Sequence, residues 1–188
     1  MPSVWLTSDT HFGHLGVCKF MCNDGVTKLR PWDTTEEMDE AMIKLWNDRV
    51  GPKDKVYHLG DVVINRKALQ VLRRLNGDKV LIKGNHDIFR LSEYVEHFRD
   101  IRAYHVMNGM ILSHIPVSAD SLGRFGTNIH GHTHSNRVLL PNGEIDTRYH
   151  CVCVEQTGFA PILFEEVMKR ISAEGGQIGF RNGNGPTM

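Results

Sequence analysis

Five short apolar runs in this chain each end in residues that can bind a metal ion, and this repeated arrangement constrains the fold most strongly. One run, Val80-Leu81-Ile82, leads through Lys83 into Gly84-Asn85-His86-Asp87. The other four runs lead into Asp9-Thr10-His11, Gly60-Asp61, His114 and Gly131-His132-Thr133-His134. Short apolar runs followed by turn residues are typical of buried strands. Strands that each deliver polar side chains at one end indicate a single polar site at the edge of a sheet.

The side chains collected in this way carry oxygen and imidazole donors and no thiolate. They are two aspartates, one asparagine and four histidines, namely Asp9, His11, Asp61, Asn85, His114, His132 and His134. This set is too large for one tetrahedral zinc ion and suits two ions of the manganese, iron, zinc or nickel type. The sequence therefore predicts a site for two divalent metal ions, with manganese as the first choice.

The motifs and their order resemble those of the calcineurin-like metallophosphoesterases, over the range from about Ser3 to about Val167. The stretch from Glu37 to Asp61 is similar to the small phosphoesterases of bacteria and phages. The resemblance implies an α/β fold, a four-layer αββα sandwich in which two mixed β-sheets are flanked by helices. We expect one metallophosphoesterase domain over residues 1–172. Because residues 173–188 are rich in glycine and asparagine, we expect them to form a disordered tail.

The resemblance also implies a role for each motif. One metal ion is expected to bind Asp9, His11, Asp61 and His134, and the other to bind Asp61, Asn85, His114 and His132. The implied reaction is metal-assisted hydrolysis of a phosphate ester, in which His86, oriented by Asp87, protonates the leaving alkoxide. His14 is a candidate substrate-binding residue, with a surface histidine of no special role as an equal alternative.

Phosphodiesters, including cyclic nucleotides, are the expected substrates. Phosphomonoesters are the second choice, because the family contains enzymes for both classes. Two further alternatives are a nuclease acting on small or single-stranded nucleic acid and a metal-binding scaffold without activity. The presence of all seven ligand positions and of His86 argues against the scaffold.

Composition limits the partners and the location of the protein. The 188 residues suit one domain, and 22 basic side chains balance 22 acidic ones, for a formal net charge of zero. This balance argues against electrostatic binding of long duplex DNA and is compatible with a small phosphate ester. The chain starts without the features of a signal peptide, and no apolar run approaches the length of a membrane span. A cytoplasmic location is therefore expected, and the oligomeric state is not indicated.

The four cysteines, Cys18, Cys22, Cys151 and Cys153, are expected to be reduced and partly buried thiols, as is usual in cytoplasmic proteins. A separate four-thiolate zinc site is an alternative, but the spacings suit it poorly.

Several elements have local signals. Thr34 and Glu37 form a capping box that opens a helix, and Asn108-Gly109 predicts a type I′ hairpin. A second hairpin is predicted between residues 137–140 and 149–155. The pattern of apolar residues predicts a last helix whose inner face carries Ile162, Leu163, Val167 and Ile171.

Overall fold

Short β-strands in two sheets organise the chain in this computed structural model, which describes residues 2–180. The strands of the first sheet are β1 (Val4–Thr7), β2 (Lys55–His58), β3 (Asp78–Ile82), β4 (Asp100–Arg102) and β9 (Ile162–Leu163). Those of the second sheet are β5 (His105–Met107), β6 (Met110–Ser113), β7 (Asn128–His130) and β8 (Tyr149–Cys151).

Both sheets are mixed, as predicted. The first has the order β4-β3-β2-β1-β9, with β9 antiparallel to β1 and the other pairs parallel. The second has the order β5-β6-β7-β8, with β5 antiparallel to β6 and the other pairs parallel. Parallel neighbours end at the same edge of a sheet, so the segments that follow β1, β2 and β3 are close together.

Alternation along each strand places the sheets face to face. In β1, Trp5 contacts the helical side of the first sheet, whereas the next residue, Leu6, is buried between the two sheets. In β6, Leu112 faces this same central core and Ile111 faces the opposite side. Successive strand residues point to opposite faces of a sheet, so each sheet packs one face against the central core and the other against segments outside the sandwich.

Helical segments flank the two sheets, and the last helix packs Phe164, Val167 and Ile171 on the central core. The helices are α1 (Thr35–Arg49), α2 (Leu91–Tyr94), α3 (Ala119–Leu122), α4 (Val154–Thr157) and α5 (Phe164–Ala173), and there are 3₁₀ segments at Leu15–Cys18 and Arg66–Arg74. Helix α1 starts as predicted, because the Thr34 side chain accepts a hydrogen bond of 3.2 Å from the backbone N–H of Glu37. The outer face of the second sheet has a much thinner cover, in which Leu122 of α3 packs on Ile111 and Tyr149. The architecture is the predicted one of two mixed sheets flanked by helices.

The hairpin at Asn108-Gly109 is confirmed, since both residues have positive φ, 48° and 72°, and join the antiparallel strands β5 and β6. The second predicted hairpin is wrong. Strand β8 pairs in parallel with β7, and the preceding turn closes only a single bridge between Leu139 and Ile145. Strand β8 is buried at the edge of the second sheet, where its parallel pairing with β7 takes the place of the predicted antiparallel partner.

The prediction for the last helix is right for Val167 and Ile171 and wrong for Ile162 and Leu163. The latter two form β9, which pairs with β1 before α5 begins at Phe164. A short apolar run such as Ile162-Leu163-Phe164 fits a strand as well as a helix, and only pairing with β1 decides between them.

The segment predicted as a disordered tail, 173–188, begins inside α5. The described residues that follow pack on the second sheet, because the Gln177 carbonyl accepts a hydrogen bond of 2.8 Å from the Thr127 hydroxyl and Phe180 pairs with Phe125. The remainder of the predicted tail, 181–188, lies outside the described residues. Within residues 2–180, no helix is long and apolar enough to cross a membrane.

Candidate metal centre

Two groups of three side chains lie at the ends of the parallel strands and present atoms that can bind a metal ion. Asp9, His11 and His134 form the first group, and Asp61, His114 and His132 form the second. Within each group the ligand atoms lie within 4.8 Å of one another. The structure thus brings together six of the seven residues predicted as ligands. The seventh, Asn85, contacts the second group, because its side-chain oxygen lies 2.8 Å from Nε2 of His114.

The loops that carry these residues have an unusual backbone. Asp9, His11, Asp61, His132 and His134 all have positive φ, between 48° and 69°. Among the described residues, only two other non-glycine positions have this conformation, one of which is Asn108 in the tight hairpin. Non-glycine residues adopt it at a cost, and such positions concentrate at functional sites. Five of them in one cluster indicate that the fold holds these side chains in place.

Asp9 is oriented by bonds to only one of its carboxylate oxygens. Oδ2 accepts hydrogen bonds from the Ser8 hydroxyl at 2.5 Å, the backbone N–H of His132 at 2.8 Å and the Cys153 thiol at 3.1 Å. Oδ1 is buried without a hydrogen-bond partner and lies 3.6 Å from Nε2 of His11. The free oxygen of Asp9 therefore points into the first group.

Burial raises the pKa of Asp9, but the neighbouring imidazoles of His11, His114 and His134 outweigh this effect and hold the pKa well below its ordinary value. Asp9 is therefore ionised, and its unpartnered oxygen carries negative charge into the centre.

Asp61 belongs to the second group and also lies close to the first. Its Oδ2 atom is 3.6 Å from Nε2 of His11 and 3.4 Å from Nε2 of His114. Its Oδ1 atom accepts a hydrogen bond of 2.8 Å from the backbone N–H of His86. A carboxylate fixed through one oxygen in this way presents the other to both groups at once, as a ligand shared by two metal ions does.

The second group has a fixed histidine tautomer. Nδ1 of His114 lies 2.7 Å from the Leu59 carbonyl, which is only an acceptor, so Nδ1 carries the proton. Nε2 then presents its lone pair towards Asp61 and Asn85. A histidine that binds a metal through one nitrogen usually donates the other N–H to a carbonyl or carboxylate, and His114 has this geometry.

The residues present fit a pair of divalent cations. Both ring nitrogens of His11 and the Oδ1 atom of Asp9 are buried without partners, and burying such groups unpaired costs about 1–3 kcal/mol each. A cation bound to Oδ1 of Asp9 and to one ring nitrogen of His11 would satisfy those two atoms. The oxygen and imidazole donors suit divalent first-row metals, and neither group contains a cysteine. The four cysteines form no disulfide, and in the described part of the chain neither group of metal-binding side chains includes one, so the alternative of a four-thiolate zinc site gains no support.

The predicted pairing of His86 with Asp87 is wrong. Asp87 is fully buried, and its carboxylate accepts hydrogen bonds from the backbone N–H groups of Asp61, Val62 and Gly84, at 2.9, 3.0 and 2.8 Å. His86 is exposed, and no hydrogen bond joins it to Asp87 in the described part of the chain. A buried carboxylate takes the nearest unpaired amides, and here these belong to the loops that follow β2 and β3.

The His86 ring nevertheless lies beside the candidate metal centre. Its centroid is 5.5 Å from that of His11, at the exposed rim of the first group. His14 is equally close to His11, at 5.5 Å, and its ring also contacts Phe20 at 5.9 Å. Burial, together with the positive charges of His11 and Arg30, lowers the pKa of His14 to about 4. His14 is therefore a neutral imidazole beside the centre.

Two residues behind the first group carry no signal in the sequence. The Glu155 carboxylate lies 3.1 Å from Nδ1 of His134, and the buried guanidinium of Arg30 donates to the same carboxylate at 2.8 Å. Glu155 and Arg30 are 125 positions apart, and neither belongs to a recognisable motif. Only the fold, which places α4 next to the segment before α1, brings them together.

A groove leads away from the second group. A cavity of about 340 Å³ lies between Asn85 and His114 on one side and Lys83 and Ala103 on the other. A second cavity of about 410 Å³ shares Lys83, Gly84 and Ala103 with the first and reaches Leu91. We call these two adjoining cavities the Lys83 groove. Lys83 is exposed, and among residues 2–180 no carboxylate forms an ion pair with its ammonium group.

Fold and site together define a class of protein, the metal-dependent phosphoesterases that hold their metal ions at the strand ends of a two-sheet sandwich. A model of the family described as calcineurin-like phosphoesterase matches residues 2–166. The chain belongs to the calcineurin-like phosphoesterase family, whose members typically depend on two metal ions.

Individual proteins agree with this assignment. The chain is 37% identical over 178 residues to an uncharacterized protein of Methanocaldococcus jannaschii, covering 91% of this chain and 92% of the relative. It is 29% identical over 175 residues to the gene 66 protein of Mycobacterium phage L5, covering 74% of this chain and 81% of the phage protein. A solved structure of a protein of unknown function from Aquifex aeolicus shares the fold, with a TM-score of 0.66, 23% identity and coverage of 90% of this chain and all of the other.

The position of Asp87 predicts that its loss affects stability. Asp87→Asn replaces one acceptor oxygen with an NH₂ group that faces a backbone N–H, which should lower the free energy of unfolding by about 1–3 kcal/mol. Urea denaturation measures this, with the exposed Asp120→Asn as the matched control, expected to change by less than about 0.5 kcal/mol. Unchanged stability together with slow turnover would instead return Asp87 to the role of orienting His86.

Metal binding should depend on pH. Burial lowers the pKa of His114 and of His134, but the carboxylates of Asp61, Asp9 and Glu155 outweigh burial, so both pKa values lie above the ordinary one in the metal-free protein. Below these raised values each imidazole holds a proton that a metal ion must displace, so affinity should fall as pH falls.

Calorimetric titration with Mn²⁺ at about pH 8 and about pH 6, in buffers of different ionisation heats, measures affinity and proton release together. We expect two ions per chain, weaker binding at the lower pH and release of protons there. Affinity that is equal at both pH values, with no proton release, would contradict the raised pKa values.

Proposed function

We propose that this phosphoesterase is a manganese-dependent phosphodiesterase that acts on small substrates, nucleotides and cyclic nucleotides among them. The position of Asp61 carries the proposal, because its Oδ2 atom lies within 3.6 Å of ligand nitrogens in both groups. Asp9, His11, Asp61 and His134 would hold one ion, and Asp61, Asn85, His114 and His132 the other. When bound, the two ions supply positive charge that polarises the phosphoryl group and lowers the pKa of a water molecule.

The chain's own residues then position the substrate and move a proton. His86 lies exposed at the rim, with its backbone N–H fixed by Asp61, so its imidazole is free to face the substrate. We assign His86 as the general acid that protonates the leaving oxygen of the alcohol. The neutral ring of His14 beside it is the candidate for a contact to the substrate.

The Lys83 groove supports a diester over a monoester. A phosphodiester carries two organic substituents, of which one leaves from the side of His86. The groove starts at Asn85 and His114 and offers the second substituent an apolar surface together with the positive charge of Lys83. A monoester has no second substituent and would leave the groove without a partner. The formal net charge of zero suits small substrates better than long duplex DNA.

A leaving-group series tests His86. An alkoxide such as a ribose oxygen is strongly basic and leaves poorly without a proton, whereas a nitrophenolate leaves without help. His86→Asn should therefore slow hydrolysis of an alkyl or nucleotide ester by about 10²–10⁴-fold and that of a nitrophenyl ester much less. Steady-state kinetics of metal-loaded protein measures both rates. Equal losses on both substrates would show that His86 is not the general acid.

Filling the Lys83 groove tests the choice of diester. Ala103→Trp places an indole in the groove and should lower kcat/KM for bis(p-nitrophenyl) phosphate by about tenfold or more, with little change for p-nitrophenyl phosphate. Ala173→Trp, at an exposed position at the end of α5, is the matched control and should leave both values unchanged. Equal losses on the two substrates would remove the groove from the argument for a diester.

A further inference from the structure

His134 and His114 differ in the group that Nδ1 of each ring contacts. His114 has its tautomer fixed by a backbone carbonyl, whereas the Nδ1 atom of His134 lies 3.1 Å from a side chain, the Glu155 carboxylate. A carboxylate is only an acceptor when ionised, so Nδ1 of His134 carries the proton and Nε2 keeps its lone pair. That Nε2 atom lies 3.9 Å from Oδ1 of Asp9, the unpartnered oxygen of the first group.

Arg30 fixes the position of Glu155 and of Asp9 together. Its guanidinium donates to Glu155 at 2.8 and 2.9 Å, to the Asp9 carbonyl at 2.6 Å and to the Thr10 carbonyl at 2.7 Å. The Arg30 side chain is completely buried, and that of Glu155 is 3% exposed. The buried guanidinium of Arg30 therefore connects the backbone after β1, which carries Asp9, with the Glu155 carboxylate, which accepts the Nδ1–H of His134.

Stability alone does not account for this pair. Taking two charges out of water costs several kcal/mol per ion, and apolar side chains of similar volume usually serve a core as well or better. Apolar side chains cannot, however, accept the Nδ1–H of His134 or hold the carbonyls of Asp9 and Thr10. The network is thus suited to orienting ligands.

We propose that Glu155, held by Arg30, is a positioning residue that selects the metal-binding tautomer of His134 and thereby sets the affinity of only one of the two metal sites. This inference rests on the proposed two-metal centre and extends it to a residue outside the first set of ligands. The second site should be independent of Glu155, because the orienting partner of His114 is the backbone of Leu59. The chain therefore contains its own internal control.

The experiment uses the full chain and two variants. The double variant Arg30→Met/Glu155→Leu removes both charges with similar volume, so that no uncompensated charge is left in the core. Glu155→Gln keeps an oxygen that can accept the Nδ1–H of His134. A chemically similar triad far along the chain provides the control, in which Glu174 contacts Arg137 at 2.5 Å and His150 at 3.4 Å. Glu174→Gln should bind two ions like the wild type.

Two measurements are made on each protein, the stoichiometry and affinity for Mn²⁺ by calorimetry and the electron paramagnetic resonance spectrum of the loaded protein. In the double variant we expect one site to keep its affinity and the other to weaken by about 10–100-fold, the usual effect of losing an orienting partner. At limiting Mn²⁺ its spectrum should change from that of a coupled pair to that of a single ion. Glu155→Gln should stay within about threefold of the wild type.

Several outcomes would overturn the inference. A double variant that binds two ions with unchanged affinities would remove Glu155 from the positioning role, and a lowered melting temperature in that protein would make it a structural residue only. Equal weakening of both sites would show a general effect on the fold. Failure of Glu155→Gln to rescue the weakened site, in protein that keeps the wild-type melting temperature and so tolerates the unpaired charge of Arg30, would rule out the tautomer as the cause. Wild-type protein that binds no divalent ion would instead remove the two-metal centre itself, which distinguishes that failure from the others.

Discussion

The Asp87 carboxylate ties together the loops that follow β2 and β3, and the metal centre depends on this contact. Its oxygens accept hydrogen bonds from the backbone of Asp61, Val62 and Gly84, while the Asp61 carboxylate in turn accepts one from the backbone of His86. The two loops are thus connected in both directions. Only glycine permits their approach at position 84, where a Cβ atom would lie 2.2 Å from Oδ1 of Asp61. The fold therefore sets the position of Asp61 between the two groups before any ion binds.

The same rigidity explains why strained backbone is tolerated at the site. Each non-glycine residue in the left-handed region costs about 1–3 kcal/mol in general, and five of the ligand residues adopt it. The buried core between the sheets and the hydrogen bonds of Asp9 and Asp87 hold these residues in place. Ligands that are already oriented lose little conformational entropy when an ion binds, so this pre-organisation contributes to metal affinity.

The sequence predicted what is local and missed what depends on distant contacts. Strand ends, the turn at Asn108-Gly109 and the ligand-type side chains were all visible, because each has a signal within a few residues. The role of Asp87 is mispredicted because adjacency to His86 suggests a pair. Two of the three backbone donors that its carboxylate accepts from belong instead to Asp61 and Val62, about 25 positions earlier. Glu155 was missed for the same reason, because its partner Arg30 is 125 positions away.

The two groups differ in exposure, and this difference gives them separate tasks in the proposed function. Each group has two buried members, but the third is half-buried in the first group, His134, and exposed in the second, His132. Asn85 beside the second group is exposed as well. The Lys83 groove begins on this more exposed side, so in the proposed function a substrate in the groove lies against the second group. Asn85 is neutral, so it leaves the positive charge of an ion in the second group intact. A second carboxylate at this position would cancel part of that charge. The first group, supported by Glu155 and Arg30, is therefore suited to retaining its ion, and the second group, with its exposed third ligand, to receiving the phosphate.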